Sequence, residues 1–181
     1  MGRVMQRRNP QSGMSLIEVM LAAAILTICS LGMIGLIGGS IASNTRNKFD
    51  STTTMLAQSI IEQINSTVIG SETASLTDCS GTVWEINTAP GGAELDGDKI
   101  DFTEADPPDD YHMDFTVKSP CEANGIEQAV YDVRWNVEIV GAAAGTPTTT
   151  YLLTVGATLK DHGEGNQFFA APVNLRIMIG N

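Results

Sequence analysis

The sequence is poor in the residues and motifs that enzymes use for chemistry. Only two histidines occur among its 181 residues, His112 and His162, and we expect both to be surface residues rather than bases or ligands. The chain has no HExxH zinc motif, no GxSxG nucleophile motif, no CxxC pair and no GxxxxGK[ST] phosphate loop. We therefore predict that it is not an enzyme and that it needs no cofactor.

Basic residues are also scarce, with 10 lysines and arginines against 21 aspartates and glutamates and a net charge of −11. Lysine and arginine drive binding to nucleic acid, so we predict that nucleic acid is not the main partner. Arg3, Arg7 and Arg8 all precede the hydrophobic run of the chain. Basic flanks of a membrane helix stay in the cytoplasm, so we expect the residues after the run to lie outside it.

Charge is absent altogether from residues 19 to 42, a stretch long enough to span a bilayer as one helix. Glu18 lies just before this stretch and four residues after Met14. A carboxylate in a membrane segment costs about 2.5–3.5 kcal/mol at the bilayer centre, and less towards an edge, so it needs a cation at its own depth. Cleavage between Gly13 and Met14 would provide one, the new amino group of Met14.

The stretch GMSLIEVM, residues 13–20, resembles the prepilin signal of type IV pilins and of the pseudopilins of type II secretion. The usual pattern reads like GFTLIE, so Met14 replaces the common Phe. The resemblance covers about the first quarter of the chain. It implies that a prepilin peptidase cuts between Gly13 and Met14, that Met14 is N-methylated, and that Glu18 acts in assembly with other pilin subunits.

Other interpretations of the N-terminus fit less well. The run is too long for an ordinary secretory signal, whose apolar core has about 7–15 residues. A lipoprotein signal would use Cys29, but Ile28 occupies a position that needs a small residue in such a signal. We expect Cys29 to be a small apolar residue of the membrane helix. An uncleaved single-pass anchor stays an alternative, although it leaves Glu18 without a partner.

Glycines cluster in the second half of the run, at Gly32, Gly35, Gly38 and Gly39. Gly35 and Gly39 are spaced so that another helix can approach closely. Alternatively the cluster lets the helix loosen when subunits pack into a filament, because glycine weakens a helix by about 1 kcal/mol relative to alanine.

The remaining chain changes from a helical to an alternating pattern of apolar residues. A helical stripe predicts that the helix continues to about Val68 as an amphipathic half, and strands follow from Thr82 onward. Alternation predicts an antiparallel sheet with one buried and one solvated face. The stripe consists of Phe49, Thr53, Leu56, Ala57, Ile60, Ile61, Ile64 and Val68, and the inward strand residues include Met113, Phe115, Val117, Tyr131, Val133, Trp135, Val137, Ile139, Leu153, Val155, Leu175 and Ile177.

These patterns together predict an α+β fold in which a long N-terminal helix packs on an antiparallel sheet, as in pilins. We divide the chain into a leader (1–13), a transmembrane and assembly half of the helix (14–43), an amphipathic half (44–70) and an exported sheet domain (71–181). The outward residues of the central strand, Asp132, Arg134, Asn136 and Glu138, are predicted to face water.

Two features of the exported part suggest cross-links or ligands. Cys79 and Cys121 are its only cysteines, and a disulfide between them would stabilise the fold by up to about 4 kcal/mol. Residues 94–114 contain nine acids and one lysine, and Asp96, Asp98 and Asp101 are spaced loosely like calcium ligands. They lack the glycine and the closing glutamate of a calcium loop. We therefore predict no metal-binding residues, and our main interpretation of the segment is a solvated acidic loop.

The sequence as a whole favours a minor pilin of a type IV pilus. Residues 131–160 resemble the strand pair of PilV-type minor pilins, which favours a minor over a major subunit. The implied location is the bacterial inner membrane, with a cytoplasmic N-terminus and a periplasmic bulk, and later the pilus surface. The implied partners are membrane lipid, prepilin peptidase, the inner-membrane assembly machinery and other subunits. The alternatives are a minor pseudopilin of a type II secretion or DNA-uptake system and an uncleaved, membrane-anchored periplasmic binding module.

Overall fold

The computed structural model describes residues 13–70, 73–142, 149–161 and 171–180. The chain divides into two compact units, residues 1–44 and 45–181. The described part contains one α-helix, one short 3-10 helix (Asp109–Tyr111) and nine strands: α1 Leu16–Asn65, β1 Ala74–Thr77, β2 Val83–Ile86, β3 Gly91–Gly92, β4 Leu95–Asp96, β5 Lys99–Ile100, β6 His112–Ser119, β7 Ile126–Ala142, β8 Thr149–Asp161 and β9 Val173–Gly180.

Helix α1 ends earlier than its apolar stripe predicts. The stripe runs to Val68, but the helix stops at Asn65 and Val68 is 48% exposed. The hydroxyls of Ser66 and Thr67 donate to the carbonyl oxygens of Gln63 and Ile64 at 2.7 and 2.9 Å. Such local bonds compete with further helical turns, and they satisfy carbonyls that the end of a helix leaves free.

The main sheet is organised around β7, its longest strand with 17 residues. Strand β8 pairs with one side of β7, and β9 pairs with the far side of β8. On its other side, β7 pairs first with β6 and then with β3. All these pairings are antiparallel, and β1–β2 and β4–β5 form two small antiparallel sheets of their own.

One face of the main sheet packs against the second half of α1, which confirms the predicted α+β fold. The core joins helix residues to inward residues of β7 and β8, and the side chain of Trp135 is fully buried in it. Ile139, predicted to point inward, is instead 54% exposed, next to a register irregularity of the β7–β8 pair. The buried set in the described part of the chain is Phe49, Leu56, Ala57, Ile60, Ile64, Ile69, Ala74, Ile86, Met113, Ala129, Tyr131, Val133, Trp135, Val137, Leu153, Val155 and Ala157.

The opposite face of the sheet, which we call the back face, is solvated at Glu138 as predicted, but Asn136 is partly buried and the prediction is wrong for Asp132 and Arg134. Asp132 and Arg134 are only 8% and 6% exposed. The chain between residues 93 and 104, which includes β4 and β5, covers this face: a Cβ atom added to Gly156 would lie 2.8 Å from the side chain of Ile100. The central strands are therefore buried on both sides around Arg134 and Gly156, which the alternating pattern could not show.

Candidate functional site

The bond between Gly13 and Met14 lies in a short non-helical stretch directly before α1. Helix formation starts when the carbonyl oxygen of Ser15 accepts the N–H groups of Glu18 and Val19, at 3.0 and 3.2 Å. Gly13 and Met14 are exposed, Met14 at 72%. Exposed, non-helical backbone is the form of chain that proteases cut most readily, so this bond is open to a peptidase.

Glu18 occupies the first turn of α1 and is exposed to the surroundings. A carboxylate at this end of a helix interacts favourably with the partial positive charge of the helix N-terminus. Met14 and Glu18 are four residues apart, about one helical turn. Glu18 therefore lies in the first turn of the helix that directly follows the bond between Gly13 and Met14.

The apolar side chains that follow are exposed along the described part of the first unit. Leu26 is 69% exposed and Ile34 67%, and all residues from 13 to 44 are exposed. Within the described residues, α1 is the one helix long and apolar enough to cross a membrane, judged by length and composition. The other large exposed side chains of this stretch are Leu16, Ile17, Val19, Met20, Leu21, Ile25, Ile28, Leu31, Met33, Leu36, Ile37 and Ile41.

The glycine cluster is helical throughout in the structure. A Cβ atom added to Gly35 or Gly39 would meet nothing within 4 Å, and residues spaced by four lie on one face of a helix. This face is therefore open to a neighbouring helix, while neither glycine is required by a contact with the described residues.

Cys79 and Cys121 form a disulfide with a Cα–Cα distance of 4.7 Å. The bond links the turn after β1 to the loop after β6, and the N–H of Cys79 also donates to the carbonyl of Thr116 at 3.2 Å. The disulfide lines a largely apolar groove of about 490 Å³ beside α1, which is also lined by Thr52, Met55, Leu56, Gln58, Ser59, Glu62, Leu76, Phe115 and Val117.

The acidic segment, residues 94–114, is fixed by hydrogen bonds rather than arranged around an ion. In the described part of the chain no group of three or more His, Cys, Asp or Glu side chains is placed to hold a metal. Asp101 accepts bonds from the N–H and hydroxyl of Thr103, at 2.7 and 2.6 Å, and these bonds lower the pKa of its carboxyl group. His112 contacts the carbonyl of Pro108 at 3.0 Å, and His162 lies outside the described residues.

The guanidinium of Arg134 anchors this acidic segment to the back face. It donates to both carboxylate oxygens of Asp132 at 2.8–3.1 Å, and to the carbonyl oxygens of Asp101 and Glu104 at 3.2 and 3.0 Å. Its Cζ atom lies 5.4 Å from the centre of the Phe102 ring. Sequence reasoning missed this role, although the two-residue spacing of Asp132 and Arg134 already put both on one face of a strand.

Comparisons with known proteins agree with the N-terminal geometry. A family model described as the prokaryotic N-terminal methylation motif matches residues 8–34, which include Gly13, Met14 and Glu18. No curated protein and no solved structure matches the chain.

Proposed function

We propose that this chain, whose N-terminus matches the prokaryotic N-terminal methylation motif over residues 8–34, is a minor pilin, a structural subunit that works in assembly of a type IV pilus. Pilins are structural proteins rather than enzymes. The observation that carries the proposal is the fully exposed apolar stretch of α1, which begins at the motif. The sheet unit that follows completes the architecture expected of a pilin.

We place the processing step between Gly13 and Met14. Cutting there removes Arg3, Arg7 and Arg8 with the leader and creates an amino group at Met14, which we expect to be N-methylated. The precursor is held in the inner membrane by the apolar half of α1, with the sheet unit on the periplasmic side. The new amine provides the positive charge that Glu18 lacks before cleavage.

The same groups account for assembly. When the apolar stretch leaves lipid, its surface is re-buried against the helices of other subunits. Gly35 and Gly39 present a face on which a second helix can approach closely. A carboxylate buried in such a bundle is tolerated only next to a positive partner, so Glu18 sets the position of each subunit against the amine of its neighbour.

Gly13→Leu tests the processing site. We expect the variant to accumulate at full length in the membrane, because a bulky residue before the bond blocks the peptidase. Gly141→Leu is the matched control, since Gly141 is exposed and also has open space around its Cα. Intact mass of the protein from its native cell gives the answer. A Gly13→Leu chain that still starts at Met14 would show that cleavage does not need Gly13, and a wild-type chain that starts at another residue would move the cut elsewhere.

Glu18→Ala tests the assembly role. We expect normal cleavage but strongly reduced incorporation into fibres, since the acid is needed after the cut rather than before it. Glu85→Ala, at an exposed position of β2, should leave both steps unchanged. Quantitative blotting of sheared fibres measures incorporation, and normal incorporation of the Glu18 variant would remove the proposed role.

Deleting the gene distinguishes the minor pilin from the alternatives. Loss of surface fibres with normal enzyme secretion and DNA uptake supports the pilus subunit. Lost secretion or DNA uptake with normal fibres would assign the chain to a pseudopilus instead. A mature chain that still begins at Met1 would indicate an anchored periplasmic module and would contradict both.

A further inference from the structure

The back face of the sheet carries a polar row that crosses three strands. Asn136 of β7 lies opposite Thr154 of β8, and Thr154 lies opposite Arg176 of β9. Thr154 is completely buried and Asn136 is partly buried. This row lies next to the ion pair of Asp132 and Arg134, beneath the chain of residues 93–104.

The orientation of the Asn136 amide follows from its contact with this covering chain. Its Nδ2 atom donates to the carbonyl oxygen of Ala93 at 2.9 Å. A carbonyl can only accept, so the nitrogen must be on that side and Oδ1 must point elsewhere. Among the described residues neither Asn136 Oδ1 nor Thr154 Oγ1 has a hydrogen-bond partner, although both atoms are buried.

Two buried polar atoms without partners are costly, and native proteins pair nearly all such atoms with protein groups or ordered water. Residues directly opposite in an antiparallel pair have Cβ atoms about 4.5–5.5 Å apart, so one small molecule can reach both side chains. It must donate to Asn136 Oδ1, and it can donate to or accept from the hydroxyl of Thr154. Water meets both requirements and typically bridges groups in this way.

We propose that the back face binds one structural water molecule, which bridges Asn136 Oδ1 and Thr154 Oγ1. By satisfying Oδ1, the water holds the amide in the orientation that bonds Ala93. Ala93 is the residue directly before the acidic segment. The water is thus a second fixing point for the acidic segment, in addition to Arg134, and it helps to keep the carboxylates of that segment in a constant position.

Thermal unfolding of the full chain in detergent micelles tests the proposal through three variants. We expect Thr154→Val to lower the midpoint by about 3–6 °C, because the water loses a partner. Thr154→Ser keeps the hydroxyl and should lose less. Thr158→Val is the matched control: Thr158 lies on the same face of β8, opposite Asp132, but is only partly buried, and we expect a shift near zero.

An unfolding midpoint that is unchanged or higher in the Thr154→Val variant would overturn the proposal. If the hydroxyl of Thr154 has no partner at all, valine removes an unpaired polar atom, and the midpoint stays the same or rises. A crystal structure of the wild-type chain gives an independent readout that holds even if the valine variant does not fold. A water within hydrogen-bond distance of both atoms supports the proposal, whereas a direct bond between Oγ1 and Oδ1 contradicts it.

Discussion

Helix α1 contains two apolar regions that end in opposite environments. In the part from Thr45 onward, Leu56, Ile60 and Ile64 are no more than 4% exposed. In the part up to Asn44, Leu26 and Ile34 are 69% and 67% exposed. Both regions are rich in the same residue types, so hydrophobic content alone does not decide whether a helix is covered by its own chain.

The distribution of polar residues explains the difference. From Thr45 onward, charged and polar residues occupy one side of the helix, which is the pattern of a helix that packs on a core. Residues 19–42 are uncharged on every side, the pattern of a helix surrounded by lipid or by other helices. Large exposed apolar surfaces are typical of contacts with a membrane or another protein, which is the role that we propose for the first region.

The sharpest test of this comparison truncates one large apolar residue in each region. Trp135→Ala should destabilise the sheet unit by about 3–5 kcal/mol, because it opens a cavity in the core. It also leaves the carbonyl of Asn87 without the bond it accepts from the Trp135 indole N–H at 2.9 Å. The measurement is urea unfolding of the full chain in detergent, followed by circular dichroism.

Leu26→Ala is the counterpart in the first region. Since Leu26 is 69% exposed, its loss should leave the free energy of unfolding of the sheet unit unchanged within about 0.5 kcal/mol. Equal losses from both variants would break the comparison, because they would mean that the first region is part of the folded core.

The two faces of the sheet extend the comparison to charged residues. Arg134→Met should lower the free energy of unfolding by about 3 kcal/mol or more. It leaves the buried carboxylate of Asp132 without its cation and removes the hydrogen bonds that hold the covering chain. Lys160→Met removes the cation of an exposed pair with Asp114, where Nζ lies 2.7 Å from the carboxylate. Exposed pairs contribute about 0–1 kcal/mol, so this control should be nearly silent.

Amide hydrogen exchange would localise the effect. In the Arg134→Met protein, exchange should rise first in residues 93–104, which the guanidinium holds through the carbonyls of Asp101 and Glu104. If exchange there stays at the wild-type rate, Arg134 is not the anchor of the acidic segment, whatever the change in total stability.

The two faces of the sheet also differ in how well their burial could be predicted from the sequence. Strict alternation predicted the buried side of β7, including Trp135, because strand periodicity is a local property. The burial of Arg134 on the other side depends on a segment some 30 residues away in the sequence, and a solvated acidic loop was the reasonable expectation. The motif that contains Gly13, Met14 and Glu18 could be recognised from the sequence because its residues lie within one short segment.

The short β1, β3, β4 and β5 strands escaped prediction for a related reason. Strands β3, β4 and β5 are only two residues long, too short for any periodicity to appear. Strand β3 forms where a glycine allows the chain to approach β7: Gly92 has φ +132°, and a Cβ atom there would collide with the backbone of Trp135. Such positions are set by tertiary contact rather than by local sequence.

Removing the disulfide is expected to have an intermediate effect. Cys79→Ser with Cys121→Ser opens a cross-link between residues 42 apart in the sequence, which should cost about 2–4 kcal/mol. Cys29→Ser is the matched control, since Cys29 is a free, exposed cysteine of the first region. Unfolding with and without reductant measures both, and a wild-type protein that is insensitive to reductant would contradict the expected contribution.

The smallest expected effect concerns Tyr131, where the second region of α1 meets the sheet. Burial raises the pKa of its hydroxyl, and nearby Asp50 adds to this, while a hydrogen bond with Thr52 lowers it in part. An unfolded tyrosine ionises near pH 10, so the stability linked to this group is complete below that pH and is lost as pH rises towards the higher folded pKa.

Tyr131→Phe separates the two contributions of this hydroxyl. At about pH 7 the variant should lose roughly 0.5–1.5 kcal/mol, because the bond with Thr52 is gone. Between about pH 10 and 11 it should lose less stability than the wild type, because phenylalanine cannot ionise. Urea unfolding at both pH values measures these free energies. Equal losses of stability at alkaline pH in the two proteins would contradict the burial of the Tyr131 hydroxyl between the helix and the sheet.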